Sequence, residues 1–118
     1  MSKESILKAK SFDFAIRVIK LNQYLWQKHS EFQLSQQILS AGASVGAMIR
    51  EAEHAERRKD FLHKLNIGLK EINKCGYWLD LLFATEYFDK RLYESIKKDS
   101  VELLKMLIAS IKTTKTKK

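Results

Sequence analysis

Apolar residues return along this chain at alternating spacings of three and four, the period of a helix with one buried face. Phe14, Val18, Leu21 and Leu25 mark the first stripe, widened by Ala15 and Ile19, and predict a helix from about Ser5 to His29. The polar break KHSEFQ follows, where Ser30 or Ser35 is placed to cap what comes next. A second helix is predicted from about Leu34 to Ala55, on a seam of Leu34, Ile38, Ala41, Val45, Ile49 and Ala52. After ERRKD, a third runs from about Lys59 to Thr85. Its residues Phe61, Leu65, Gly68, Ile72, Cys75, Leu79 and Leu82 keep a heptad alternation. Leu62, Leu69, Gly76 and Phe83 form a second stripe beside it, and Ile67, Trp78 and Leu81 add further apolar positions. So broad a surface predicts a central helix, or one that also meets another subunit. A turn near TEYFDK leads to a fourth helix, about Asp89 to Thr113, on Leu92, Ile96, Leu103, Leu107 and Ile111, with Leu104 and Ile108 alongside.

Four helices on short connections imply an all-α fold, an antiparallel up-down-up-down four-helix bundle forming one domain over residues 1–113. The tail 114–118 is basic, lacks apolar residues and is expected to be disordered. The chain contains no proline, which favours long uninterrupted helices. The longest apolar run, YWLDLLFA, is interrupted by Asp80 and is too short to span a bilayer. The first residues, MSKESILKAKSF, are too charged for the apolar part of a signal peptide. A cytoplasmic location without a membrane partner is therefore expected. Cys75 is the only cysteine, so no disulfide forms within the chain, and its seam position predicts a buried, inert thiol.

Candidate chemistry is sparse. Gly42-Ala43-Ser44-Val45-Gly46 matches G-x-S-x-G, the nucleophile elbow of serine hydrolases. An elbow needs a strand, a strained turn and then a helix, whereas the preceding LSQQILSA has helical spacing. On a helix, Gly42 and Gly46 share one face and let a neighbouring backbone approach closely, as small-residue faces do between membrane helices. Each glycine costs about 1 kcal/mol of helix stability relative to alanine, which that contact must offset. Ser44 then becomes a packing residue with a hydrogen bond to the backbone. His54 and His63 are separated by a predicted turn and lack the i,i+4 spacing of a helical metal pair. No metal, cofactor or enzymatic activity is expected. Glu51 and Glu71 lie on helices that should be neighbours, where pairing with Arg50 or Lys70 would fix register. Met48 reads as core filling, and Tyr77 and Trp78 as anchors of a core or an interface.

The charge balance changes this picture most. With 22 Lys and Arg against 14 Asp and Glu, the net charge is +8. Lys3, Lys10 and Arg17 recur every heptad on the first helix, and Lys98, Lys105 and Lys112 on the fourth. Arg57, Arg58 and Lys59 cluster at the second turn, and the tail adds Lys115, Lys117 and Lys118. The i,i+4 pairs Glu94–Lys98, Asp13–Arg17 and Asp60–Lys64 are expected to neutralise part of each stripe. What remains predicts electrostatic, sequence-independent binding to RNA or DNA. The alternative is a protein–protein scaffold that binds no nucleic acid.

The block SAGASVGAMIREAEHAERRKDFLHKLNIGLKEINKCGYWLDLL resembles the four-helix-bundle proteins of the 23S rRNA intervening-sequence protein family. That family's pattern reads S-G-T-S-I-G-A-N-x-x-E-A, then D-F-x-x-K-L, then K-E and Y-W-L-x-L-L. It is matched by Ser40, Ser44, Val45, Gly46, Ala47, Glu51 and Ala52, by Asp60, Phe61, Lys64 and Leu65, by Lys70 and Glu71, and by Tyr77, Trp78, Leu79, Leu81 and Leu82. FAIRVIKL and LSQQIL resemble the family's first helix and the start of its second. The chain departs at Ala43 for threonine, Met48 for asparagine and Lys74-Cys75 for Glu-Thr, which removes part of any polar network built there. The resemblance implies a bundle that assembles as a homopentamer around a central channel. Genes of the family were noticed inside insertions in bacterial 23S rRNA genes, although many members lie elsewhere, and no general biochemical role is established for it. A relative serves as the accessory protein of diversity-generating retroelements, which implies nucleic-acid affinity and a reverse transcriptase as a possible protein partner.

Overall fold

The four predicted stripes become four helices: α1 (Lys3–His29), α2 (Gln33–Glu53), α3 (Arg58–Ala84) and α4 (Lys90–Thr116). They belong to a computed structural model that describes residues 2–116, apart from the side chains of residues 3 and 4. Because the connections are short, each helix turns back on its predecessor. α1 packs on α2, α2 on α3 and α3 on α4, and α4 closes on α1 along the sparsest seam. The result is the up-down-up-down bundle, about 50 × 22 × 21 Å. Phe14, Val18 and Leu25 from α1, Ile38 and Val45 from α2, Leu65, Ile72 and Leu79 from α3, and Ile96, Leu103 and Leu107 from α4 fill its axis.

The helix ends have identifiable causes. Ser2 caps α1 by accepting the Ser5 N–H at 3.1 Å, so the helix starts two residues before the pattern predicts. Asp89 does the same for α4, accepting the Leu92 N–H at 2.8 Å. Neither serine proposed to cap the second helix does so. Ser30 instead ends α1 in the left-handed conformation, φ 50°. Ser35 lies inside α2 and is buried: its hydroxyl donates to the Glu31 carbonyl and accepts from Trp26 Nε1, both at 2.8 Å. The Glu31 carboxylate accepts the Ser35 N–H, so an acid rather than a hydroxyl serves the start of α2. At the other end α4 continues through Thr116, past the expected limit, with the Thr114 hydroxyl donating to the Ser110 carbonyl. Lys117 and Lys118 lie outside the described residues.

Of the two readings of α3, packing within the bundle accounts for most of its broad apolar surface. The surplus apolar positions of α3 do not form an open face: Leu62, Leu69, Trp78 and Phe83 pack against the core, between α2 and α4. The open apolar surface lies on α1, where Phe12, Ile16, Ile19 and Trp26 are each about two-fifths to three-fifths exposed. They recur at helical spacing on the side away from Phe14, Val18 and Leu25. Ile19, read from the sequence as widening the core stripe, belongs to this outer one.

Candidate functional site

Whether the basic stripes survive folding depends on where the acids lie. On α1, Lys10 pairs with Glu102 and Arg17 with Asp99, the latter at 2.7 Å, and both pairs stitch α1 to α4. Lys8 reaches Glu53 of α2 at 3.1 Å. The proposed α1 stripe is therefore consumed in cross-helix ion pairs, and the side chain of Lys3 lies outside the described residues. Each i,i+4 pair expected from the sequence finds a different partner. Arg17 takes Asp99 rather than Asp13, Lys64 takes Glu51 at 2.8 Å rather than Asp60, and Glu94 turns to Lys90 at 3.8 Å rather than Lys98. For Arg17 and Lys64 a cross-helix acid competes, brought closer by antiparallel packing, whereas Glu94 stays within α4.

Glu51 and Glu71 do not act together. Glu51 is exposed and holds Lys64 across the α2/α3 seam, in place of Arg50 or Lys70. Glu71 is half-buried and pairs within its own helix with Lys74 at 3.3 Å. At the second turn Arg57 pairs with Asp60 at 3.2 Å, while Arg58 and Lys59 are exposed at the start of α3.

Lys98, Lys105 and Lys112 remain. All three are exposed and have no ion-pair partner among the described residues. Arg91, one heptad earlier and missed in the sequence, extends the same ridge, which then runs from 91 to 112, about 32 Å of helix. Lys70 is likewise exposed and unpaired on α3. Between the helices, beside Tyr77, lies a depression of about 250 Å³ walled by Asn73, Tyr77, Val101 and Leu104, with Lys97 at its edge. Lys97 Nζ donates to the Gly76 carbonyl at 3.2 Å and to Asp80 at 2.7 Å, and the Tyr93 hydroxyl donates to the same Asp80 oxygen at 2.7 Å. Gly76 makes this possible, because a Cβ there would lie 3.3 Å from the ammonium. Burial opposes the charge on Asp80, but the hydrogen bonds from Lys97 and Tyr93 outweigh it and hold the carboxyl below its usual 3.8. The Asp80 bond, with some burial, raises the Tyr93 phenol above 10.0.

The packing candidates separate into two groups. Gly42 leaves no room for a side chain between α2 and α1: a Cβ there would meet Val18 Cγ2 at 2.7 Å. At Gly46 the same atom would sit 3.6 Å from the Ser11 carbonyl, an ordinary contact. Ser44 is mid-helix and donates to the Ser40 carbonyl at 2.6 Å, so no strained elbow turn exists around it. Met48 lies over Gly68 of α3. Cys75 is buried, which pushes its thiol up to about 12. Trp78 packs against the core with its Nε1–H buried and without a hydrogen-bond partner, whereas its neighbour Tyr77 is 58% exposed and anchors no core. The outer side of α1 and α2 forms a shallow groove of about 350 Å³, floored by Ala15, Ala43, Gly46 and Ala47 and flanked by Phe12. No described helix is long and apolar enough to cross a membrane, and no cluster of three His, Cys, Asp or Glu among the described residues is arranged to hold a metal ion.

The model of the family described as 23S rRNA-intervening sequence protein matches residues 3–109. A similar solved structure is a protein with unknown function from the S23 ribosomal protein family of Bacteroides thetaiotaomicron. It is 50% identical, with a TM-score of 0.92 over 94% of this chain and 99% of that one. Comparison with curated proteins found no match.

Proposed function

The chain belongs to the 23S rRNA-intervening sequence protein family, and on that premise we propose that it is a non-enzymatic, self-associating bundle whose α3/α4 side binds RNA or DNA through phosphate contacts. The observation that carries this reading is the continuous row of unpaired cations along α4. Acids on the seams are taken up by Lys8, Lys10, Arg17 and Lys64, while Arg91, Lys98, Lys105 and Lys112 form an unpaired ridge. Such a ridge releases condensed counterions from a phosphate backbone when it binds, with no need for base contacts. Self-association is assigned to the open apolar side of α1 and α2. As a pentamer, the assembly implied by the family resemblance, the particle would carry about +40 and concentrate polyanions strongly. A protein such as a reverse transcriptase is a further partner that this reading accommodates.

Labelled RNA retained by the protein at low salt, with steep release as salt rises, is the expected result. Absence of retention at low salt refutes the reading. Recovery of a protein partner after nuclease treatment, without any bound nucleic acid, favours the scaffold alternative, for which the exposed apolar stripe of α1 speaks.

A further inference from the structure

We infer that the depression beside Tyr77 is a subsite for one unstacked base, so that the α3/α4 side takes single-stranded rather than duplex nucleic acid. The inference rests on the phosphate-binding reading above and adds the class of strand. Tyr77 is the one large aromatic on α3 that faces solvent, and its ring is held edge-to-face against Trp78 with centroids 5.4 Å apart. A ring fixed in this way loses little freedom when a base stacks on it. Opposite it, Val101 and Leu104 supply an apolar wall. Asn73, exposed and with no hydrogen bond from its side chain, offers an amide donor and an acceptor to a base edge. Lys97 uses two of its three protons on Gly76 and Asp80 and keeps one.

The surroundings set the strand's direction of approach. Asp80 closes one end of the depression with a carboxylate that repels phosphate. Away from Asp80, Lys70 lies one turn from Asn73, and Lys98 and Lys105 lie one residue from Lys97 and Leu104. Backbone phosphates therefore belong on the lysines and the base in the depression. The depression, about 250 Å³, is on the scale of a single base. A duplex keeps its bases stacked inside and offers this surface only its backbones, leaving Tyr77 without a partner.

The test uses the full chain, with labelled oligo(U) and a duplex RNA of equal phosphate number at one salt concentration. Oligo(U) is expected to bind more tightly than the duplex. Tyr77→Leu should weaken oligo(U) about tenfold and leave the duplex unchanged, while Tyr77→Phe should keep both. Tyr77 is exposed, so an unchanged melting temperature shows that the variant remains folded. Equal binding of strand and duplex, with no effect of Tyr77→Leu, overturns the base subsite but leaves phosphate binding standing. Failure of both RNAs to bind overturns the phosphate-binding reading itself. Displacement of oligo(U) by poly-glutamate at equal charge, with the same sensitivity to Tyr77→Leu, would show an acidic-peptide site and also overturn the inference.

Discussion

The two long sides of this bundle carry opposite surpluses. Along α1 and the turn into α2 there are more apolar side chains than the core can cover: Phe12, Ile16, Ile19, Trp26 and Phe32 remain open, with Phe12 beside a floor of small residues. Along α3 and α4 most apolar positions are taken up, with Tyr77 and Ile108 (expected beside the α4 seam) left open, and the surplus is positive charge that no carboxylate meets. The two surpluses are relieved differently. Apolar area gains about 25 cal/mol per Å² when another apolar surface covers it, whereas an unpaired cation row gains by drawing in polyanions. Helices of similar composition thus present two kinds of surface, because the seams decide which charges are used up.

The contrast can be broken in four places. The largest expected effect is on assembly: Phe12→Ser with Ile19→Ser should reduce the mass measured by light scattering to that of one chain. An unchanged mass removes self-association from the α1/α2 side. Next, replacing Lys98, Lys105 and Lys112 together with glutamine should lower the slope of log affinity against log salt by about 2 to 3. Replacing Lys10 and Arg17 should leave that slope alone, since both already face carboxylates. A smaller effect separates the two glycines of α2. Gly42→Ala forces a Cβ into Val18, a stiff and fully buried residue, and should cost about 1–3 kcal/mol in denaturant unfolding. Gly46→Ala meets only ordinary contacts and should gain up to about 1 kcal/mol from helix propensity.

The smallest effect is a pH dependence on the α3/α4 side. Asp80 titrates below its ordinary value, so its ion pair stabilises the fold above pH 3.8, and this is lost as the pH falls through the lowered value. Tyr93 titrates above 10.0, so its share is present below that pH and is lost as the pH rises through the raised value. The carboxylate is about half exposed, so solvent screening keeps the pair's contribution below about 1 kcal/mol. Tyr93→Phe should move the Asp80 carboxyl back up toward 3.8 in an NMR titration. No movement would remove that hydrogen bond from the account.

Periodicity was enough to read the helices and most of the core, because Phe14, Val18, Ile38, Val45, Leu79 and Leu107 answer only to local spacing. Partners across a seam were not legible. Glu51 with Lys64 and Arg17 with Asp99 depend on the relative level of antiparallel helices, which spacing within one helix does not contain. The same blindness left undecided whether α3 was central or also met another subunit, and made α1 look ordinary. Counting apolar positions on a helix says how much surface it can bury, but its neighbours determine how much is buried. At the candidate site, the Lys98, Lys105 and Lys112 ridge was visible as a heptad repeat. The Asp80, Lys97 and Tyr93 network and the depression beside Tyr77 required the register of α3 against α4.

The sparse α1/α4 seam also bears on the order of events in folding. Three seams join helices adjacent in the chain, and close through short loops. The fourth must bring together Lys10 with Glu102 and Arg17 with Asp99, separated by 92 and 82 residues. Contacts of such long sequence separation carry the largest loop-closure entropy, and this seam has the fewest to set against it. It is expected to form last and open first, with backbone amides of α1 and α4 exchanging ahead of those in α2 and α3 in native-state hydrogen exchange. Because ion pairs line the gap, raising the salt concentration should widen that difference.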